Sequence, residues 1–169
     1  MGPSCEWCSF RKTWRDCRWT CVEVAYPLGA RRRLVRAYMR PAVFDGFHRC
    51  LPALAQAGNN LIVDHIIEQE QWLADLVGLL APFDVFFVGV HCPLPELERR
   101  ERHRGDRRPG EARRDFHAVH RFTEYDLDID ATQPTEGNVA RLITAWQTRS
   151  RPTAFERMAT RQPTEELTR

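Results

Sequence analysis

The stretch ALAQAGNNLIVDHIIEQEQWLADLVGLLAPFDVFFVGVHC, residues 53–92, decides the fold. Two short apolar runs lie in it, at 61–63 and 85–90, both rich in β-branched and aromatic side chains. Breakers bound each run: Gly58-Asn59-Asn60 ahead of the first, Pro82 ahead of the second and Pro93 beyond it. Runs this short, apolar without alternation, predict strands covered on both faces, as in a parallel sheet. Between them Trp72, Leu73, Leu76, Val77 and Leu80 recur at helical spacing on one face. Strand, helix and strand predict a βαβ unit closed by a right-handed crossover. Asp64 then stands at the carboxyl end of the first strand, where open α/β sheets put their chemistry.

Working outward from that unit, residues 20–26 alternate as a strand, with Val22 and Val24 on one side, and 31–39 reads as a basic helix beyond a turn. Strand, glycine-bearing turn and helix are the frame of a phosphate loop. No G-x-x-x-x-G-K-[ST] occupies the frame, and no lysine follows Lys12. Backbone amides hold phosphate weakly without that lysine and the metal-binding hydroxyl. Residues 44–57 form the next helix, with Phe47, Cys50, Leu51 and Leu54 on one side, Pro52 setting a kink or a late start, and Gly58 as its C-cap. His48 on this helix reads as a satisfied or solvated histidine.

Beyond Pro93 the chain turns strongly charged. A helix from about Glu96 carries Arg99, Arg100, Arg102 and Arg104, and a second resumes at Glu111 after Gly105-Asp106-Arg107-Arg108-Pro109-Gly110. So few apolar residues bury little, which makes 94–120 a mobile flap. Arg100 and Arg104 share a helical face. Their planar forks suit phosphate oxygens; equally, Glu96, Glu98 and Glu101 could balance them on a solvated face. Tyr125-Asp-Leu-Asp-Ile-Asp130 is a short strand and 136–146 the last helix. Residues 147–169 read as a flexible tail.

Length and composition bound the rest. The 169 residues suit one domain, at 20–146, and the formal net charge of +2 is too small for nucleic-acid binding by bulk charge. No apolar run nears the roughly 18 residues of a membrane span. Residues 1–19 lack the pattern of a secretory signal, so the six cysteines read as reduced thiols in a cytoplasm. Cys5, Cys8, Cys17 and Cys21 are paired as zinc ligands can be, but the gap between the pairs is short; a leader outside the fold is the favoured reading.

Leu61-Ile-Val-Asp64, Asp84-Val-Phe-Phe-Val-Gly-Val-His-Cys92, Arg104-Gly-Asp-Arg107 and Tyr125-Asp-Leu-Asp-Ile-Asp130 together resemble the chloramphenicol phosphotransferase-like proteins, in order and separation, over about 45–146. The resemblance implies a three-layer, P-loop-kinase-like α/β fold with a parallel sheet and an arginine-rich helical flap, here with the N-terminal strand and loop incomplete. It implies transfer of the γ-phosphoryl of ATP, with magnesium, to a hydroxyl of a small acceptor. By matching position, Asp64 lies near metal or acceptor, Arg100, Arg104 and Arg107 close over the phosphates, and Asp130 and Thr132 pass close to the adenine. The fold's phosphate-loop strand belongs between the strands of 61–64 and 85–90, a slot that 20–26 would fill. No counterpart is found for the aspartate that takes the proton from the acceptor hydroxyl. Neither nucleic acid nor membrane is an expected partner, and a protein partner is not specified.

Overall fold

The computed structural model describes residues 19–23, 40–104 and 109–161. They divide into two compact units at His65/Ile66, inside the span expected to be one domain. The phosphate-loop frame beyond Glu23, the helix expected at 31–39, Cys5, Cys8 and Cys17 lie outside the described residues.

In the first unit β1 (Trp19–Glu23) pairs in parallel with β2 (Asn60–Asp64), with Glu23 opposite Asp64. The strand expected at 20–26 therefore exists, one residue earlier, alongside the Asp64 strand. Helix α1 (Arg40–Gln56) packs against β2 and carries Pro52 within its length, where the sequence favoured a kink or a late start. Proline lacks only one N–H, and seventeen residues of helix carry that loss. Phe44 and Leu51 are buried on its inner side. His48 is also buried, its Nε2 2.9 Å from that of His65, so it is satisfied as anticipated. Gly58 closes the helix at φ +82°, a conformation that costs L side chains roughly 1–2 kcal/mol. The side-chain amide of Asn59 then caps the Leu54 carbonyl at 2.9 Å. One expectation fails here: Ile62 is 46% exposed and Val63 is exposed too. Among the described residues of this unit, β1 lies along one edge of β2 and α1 packs against it.

The second unit begins with α2 (Glu70–Leu80), which buries Trp72, Leu73, Leu76 and Val77 on the face read from the sequence. Strand β3 (Val88–His91) pairs in parallel with β4 (Leu127–Asp130), His91 opposite Asp130. The ladders among the described residues are thus β1–β2 and β3–β4, two two-stranded sheets where one sheet containing both apolar runs was expected. Strand β3 is also shorter than the run at 85–90, because β4 starts only at Leu127. Below it, the Phe87 N–H turns to the Asp126 carboxylate at 2.8 Å. Helices α3 (Leu94–Arg104) and α4 (Glu111–Ala118) follow, neither burying a residue, and α5 (Thr135–Gln147) packs on β4.

The stretch after Gln147 was read as a tail, and the structure corrects this. Helix α6 (Ala154–Arg161) packs on α2 and buries Ala154 and Phe155. Ala154, Phe155, Met158 and Ala159 recur at helical spacing, but over only two turns, and only the first two are buried. The anchoring is polar: Asp126 Oδ1 accepts from the Ala154 N–H at 2.7 Å, and Arg149 reaches Asp84 at 2.5 Å while lying over the Trp146 ring.

Candidate functional site

The carboxyl ends of β3 and β4 gather the polar chemistry of the second unit. Alternation along the strand puts Asp126, Asp128 and Asp130 on one face and Leu127 and Ile129 on the other. Asp130 ends the strand in an Asx turn. Its carboxylate accepts from the Thr132 N–H at 2.8 Å, the Thr132 hydroxyl at 2.7 Å and the Gln133 side-chain amide at 3.3 Å. Those bonds hold its acid below the usual carboxylate range, the Thr132 amide contributing most. The Asp130 carbonyl takes the Asn138 amide at 2.8 Å, which fixes the loop to α5.

Helix α3 is tied to this loop by Arg100. Its Nε donates to Glu96 at 2.7 Å and its Nη2 to the Ala131 carbonyl at 2.8 Å. Arg99 also forks onto Glu96, and hydrogen bonds from Arg99 and Arg100 pull that carboxyl down to about 2. Glu101 accepts from the Gly110 and Ala112 amides at 2.9 and 2.8 Å, so α3 caps the amino end of α4. Arg113 bridges back to Glu98 at 2.6 Å, and Arg114 reaches Glu68 at 3.6 Å. The Glu98–Arg113 pair and the Glu101 carboxylate join the two helices, while Glu96 and Asp115 take arginines of their own helix.

Between the strand ends and α4 lies a pocket of about 430 Å³, within the range of small-molecule sites. Val90, Leu97, Phe116 and Val119 give it apolar walls, while His91, Asp115, His120 and Asp130 edge it. His91 Nε2 sits 2.6 Å from Asp128 Oδ1. A carboxylate only accepts, so Nε2 carries the proton of that bond. His120 Nδ1 is 2.5 Å from the Tyr125 hydroxyl, and its ring lies 4.2 Å from that of His91, centroid to centroid. Tyr125 in turn covers Gly89, where a Cβ would meet its ring at 2.6 Å. Only glycine allows that approach.

Of the residues expected at a site, Arg100, Asp130 and Thr132 come together, through the Ala131 carbonyl. Arg104 ends α3 and is exposed; Arg107 lies outside the described residues. Asp64 ends β2, exposed, in the first unit. Among the described residues no group of three His, Cys, Asp or Glu side chains is placed to hold a metal ion. The sequence reading passed over His91, His120 and Asp128. Strand alternation puts Gly89, His91 and Asp128 on one face, and that was the available signal. His120 meets them only through the turn after α4, which no spacing reveals.

The profile of the chloramphenicol phosphotransferase-like proteins matches residues 29–147, well over half of the chain. The chain belongs to that family. Two curated Mycobacterium tuberculosis proteins, from two strains and both provisionally named as O-phosphotransferases, are each 36% identical to it over 115 residues. That alignment takes in 68% of this chain and 51% of theirs, so the chain spans about half the length of the relatives it matches. No helix among the described residues is long and apolar enough to cross a membrane.

Proposed function

We propose that the chain is an ATP-dependent O-phosphotransferase acting on a hydroxyl of a small molecule, in the manner of chloramphenicol 3-O-phosphotransferase. Its phosphate grip is weakened by the absence of G-x-x-x-x-G-K-[ST] from these 169 residues. The observation that carries the reading is the loop from Asp130 to Gln133. It is fixed at the carboxyl end of a parallel strand pair and tied to an arginine-bearing helix, and α/β sheets bind ligands at such ends. ATP would lie with its adenine by Asp130 and Thr132. Arg104 and Arg107 would meet the phosphates, and Asp64 the metal or the acceptor. Arg100 is better employed as a tether than as a phosphate ligand, because its guanidinium is committed to Glu96 and Ala131. Magnesium, when bound with the nucleotide, supplies charge neutralisation on the transferring phosphoryl group. Phosphoryl transfer depends on positioning and charge neutralisation, and the missing lysine and loop amides would supply much of both. That same absence favours a second reading, a non-catalytic module that retains nucleotide or protein binding.

Calorimetric titration with ATP and magnesium tests the binding both readings share. Heat of binding is expected at or below millimolar nucleotide, and its absence would remove the nucleotide from the proposal. Arg104→Ala is expected to weaken that binding by about 1.5–3 kcal/mol, the worth of a charge-assisted contact. An unchanged affinity would make the end of α3 a solvated surface.

A further inference from the structure

Helix α4 buries none of its own residues, yet Asp115 and Phe116, with Val119 and His120 just beyond, form one wall of the pocket. Something other than apolar burial must hold this wall to the sheet. His120 is placed to do so. It follows the helix at φ +73°, a left-handed conformation uncommon outside glycine but one that His, like Asn and Asp, enters more often than other side chains. Its ring is half-buried, packed on His91 of β3 and bonded to the Tyr125 hydroxyl. With Nδ1 accepting from the phenol, the ring carries one proton, on Nε2, and is neutral.

We infer that His120 is the positioning residue that fixes the α4 wall over the pocket, and that it does so only while its imidazole is neutral. A second proton on the ring would turn Nδ1 into a donor, reverse the bond to Tyr125 and leave the phenolic hydrogen to find another acceptor. It would also set a cation in a half-buried site against His91. The charged and titratable groups facing the ring come from every neighbouring element. They are His91 on β3, Cys92 after it, Asp128 and Asp130 on β4, Tyr125 before it, and Asp115 on α4, itself paired with Arg114 at 2.7 Å. Burial lowers the affinity of His120 for a proton most, His91 adds to this, and Asp128 and the Val90 carbonyl oppose it. The folded-state value thus lies below the ordinary 6.5. The unfolded chain takes the proton first as pH falls. The contribution to stability is complete above about 6.5 and is lost as the pH drops through the folded value.

The test needs no ligand and no activity. Hydrogen exchange of the α4 amides, corrected for intrinsic rates, is measured at pH 7.5 and 5.0, alongside the imidazole NMR titration of His120. In the full chain the α4 amides should exchange about tenfold faster at the lower pH, with a midpoint that follows the His120 titration. His120→Asn keeps a residue that tolerates the left-handed turn. It should exchange fast at both pH values. His91→Gln should move both the titration and the exchange midpoint upward together. Equal protection of the wild-type α4 at the two pH values would overturn the inference. So would a His120→Asn chain that is protected at pH 7.5 and still loosens in acid.

Discussion

Phe155→Ala is expected to cost about 3 kcal/mol of stability in urea unfolding of the full chain, at the lower end of the range for truncating a buried phenylalanine. The residue is 5% exposed, and its ring meets Phe87 edge-on at 5.1 Å and 82°. That pair joins α6 to the base of β3, while the helix as a whole lies on α2. Removing the ring leaves a cavity that α6, only eight residues long, can close solely by leaving its seat. Phe155→Leu keeps most of the volume and should lose about 1 kcal/mol. If Phe155→Ala changes stability by under about 0.5 kcal/mol, as surface substitutions do, the stretch after Gln147 is the tail that its composition suggested.

A loss of similar size, about 3 kcal/mol, is expected for Asp126→Ala. This carboxylate is 9% exposed and closes two gaps in the backbone at once. Its Oδ2 takes the Phe87 N–H where β3 has not yet begun, and its Oδ1 takes the Ala154 N–H at the start of α6. Each is a charge-assisted bond to a backbone amide, and truncation leaves both amides without their acceptor. Asp126→Asn separates charge from geometry. One amide oxygen can serve one N–H, so about half of the loss should return. A full return would mean that the second bond contributes nothing.

These two residues show where the sequence was legible and where it was not. Helix α2 was read correctly to its buried face, because Trp72, Leu73, Leu76 and Val77 alone satisfy a helical period. Both observed strand pairs are parallel, as the family resemblance implied and as the apolar runs at 61–63 and 85–90 suggested for their own strands; the alternating partners at 20–26 and 125–130 gave no such signal. The breadth of the sheet was not legible. Ile62 and Val63 look like residues covered on both faces, but coverage depends on which elements arrive beside them, and no local pattern carries that. Helix α6 was missed because its apolar period spans only two turns of a polar, proline-punctuated stretch, and the carboxylate that anchors it lies 28 residues away. In the candidate site, Asp130 and Thr132 were named only through the family resemblance. For Arg100 the sequence left two readings open, a phosphate ligand or a charge balanced by glutamates of its own helix. Spacing put it on a face with Arg104, while the geometry turns it inward to Glu96 and Ala131. His120 depends on a left-handed turn and on Tyr125 five residues on, contacts that exist only once the chain is folded.

Transfer of the γ-phosphoryl group is the most direct test of the proposed chemistry. The full chain, ATP, magnesium and chloramphenicol or another small alcohol are followed by ³¹P NMR. The expected result is a phosphomonoester resonance that grows with ADP, needs the alcohol, and is slow in keeping with the weak phosphate grip. ATP that binds calorimetrically but yields no phosphomonoester with any hydroxylated acceptor would contradict it, and would leave a family member that holds nucleotide without transferring phosphate.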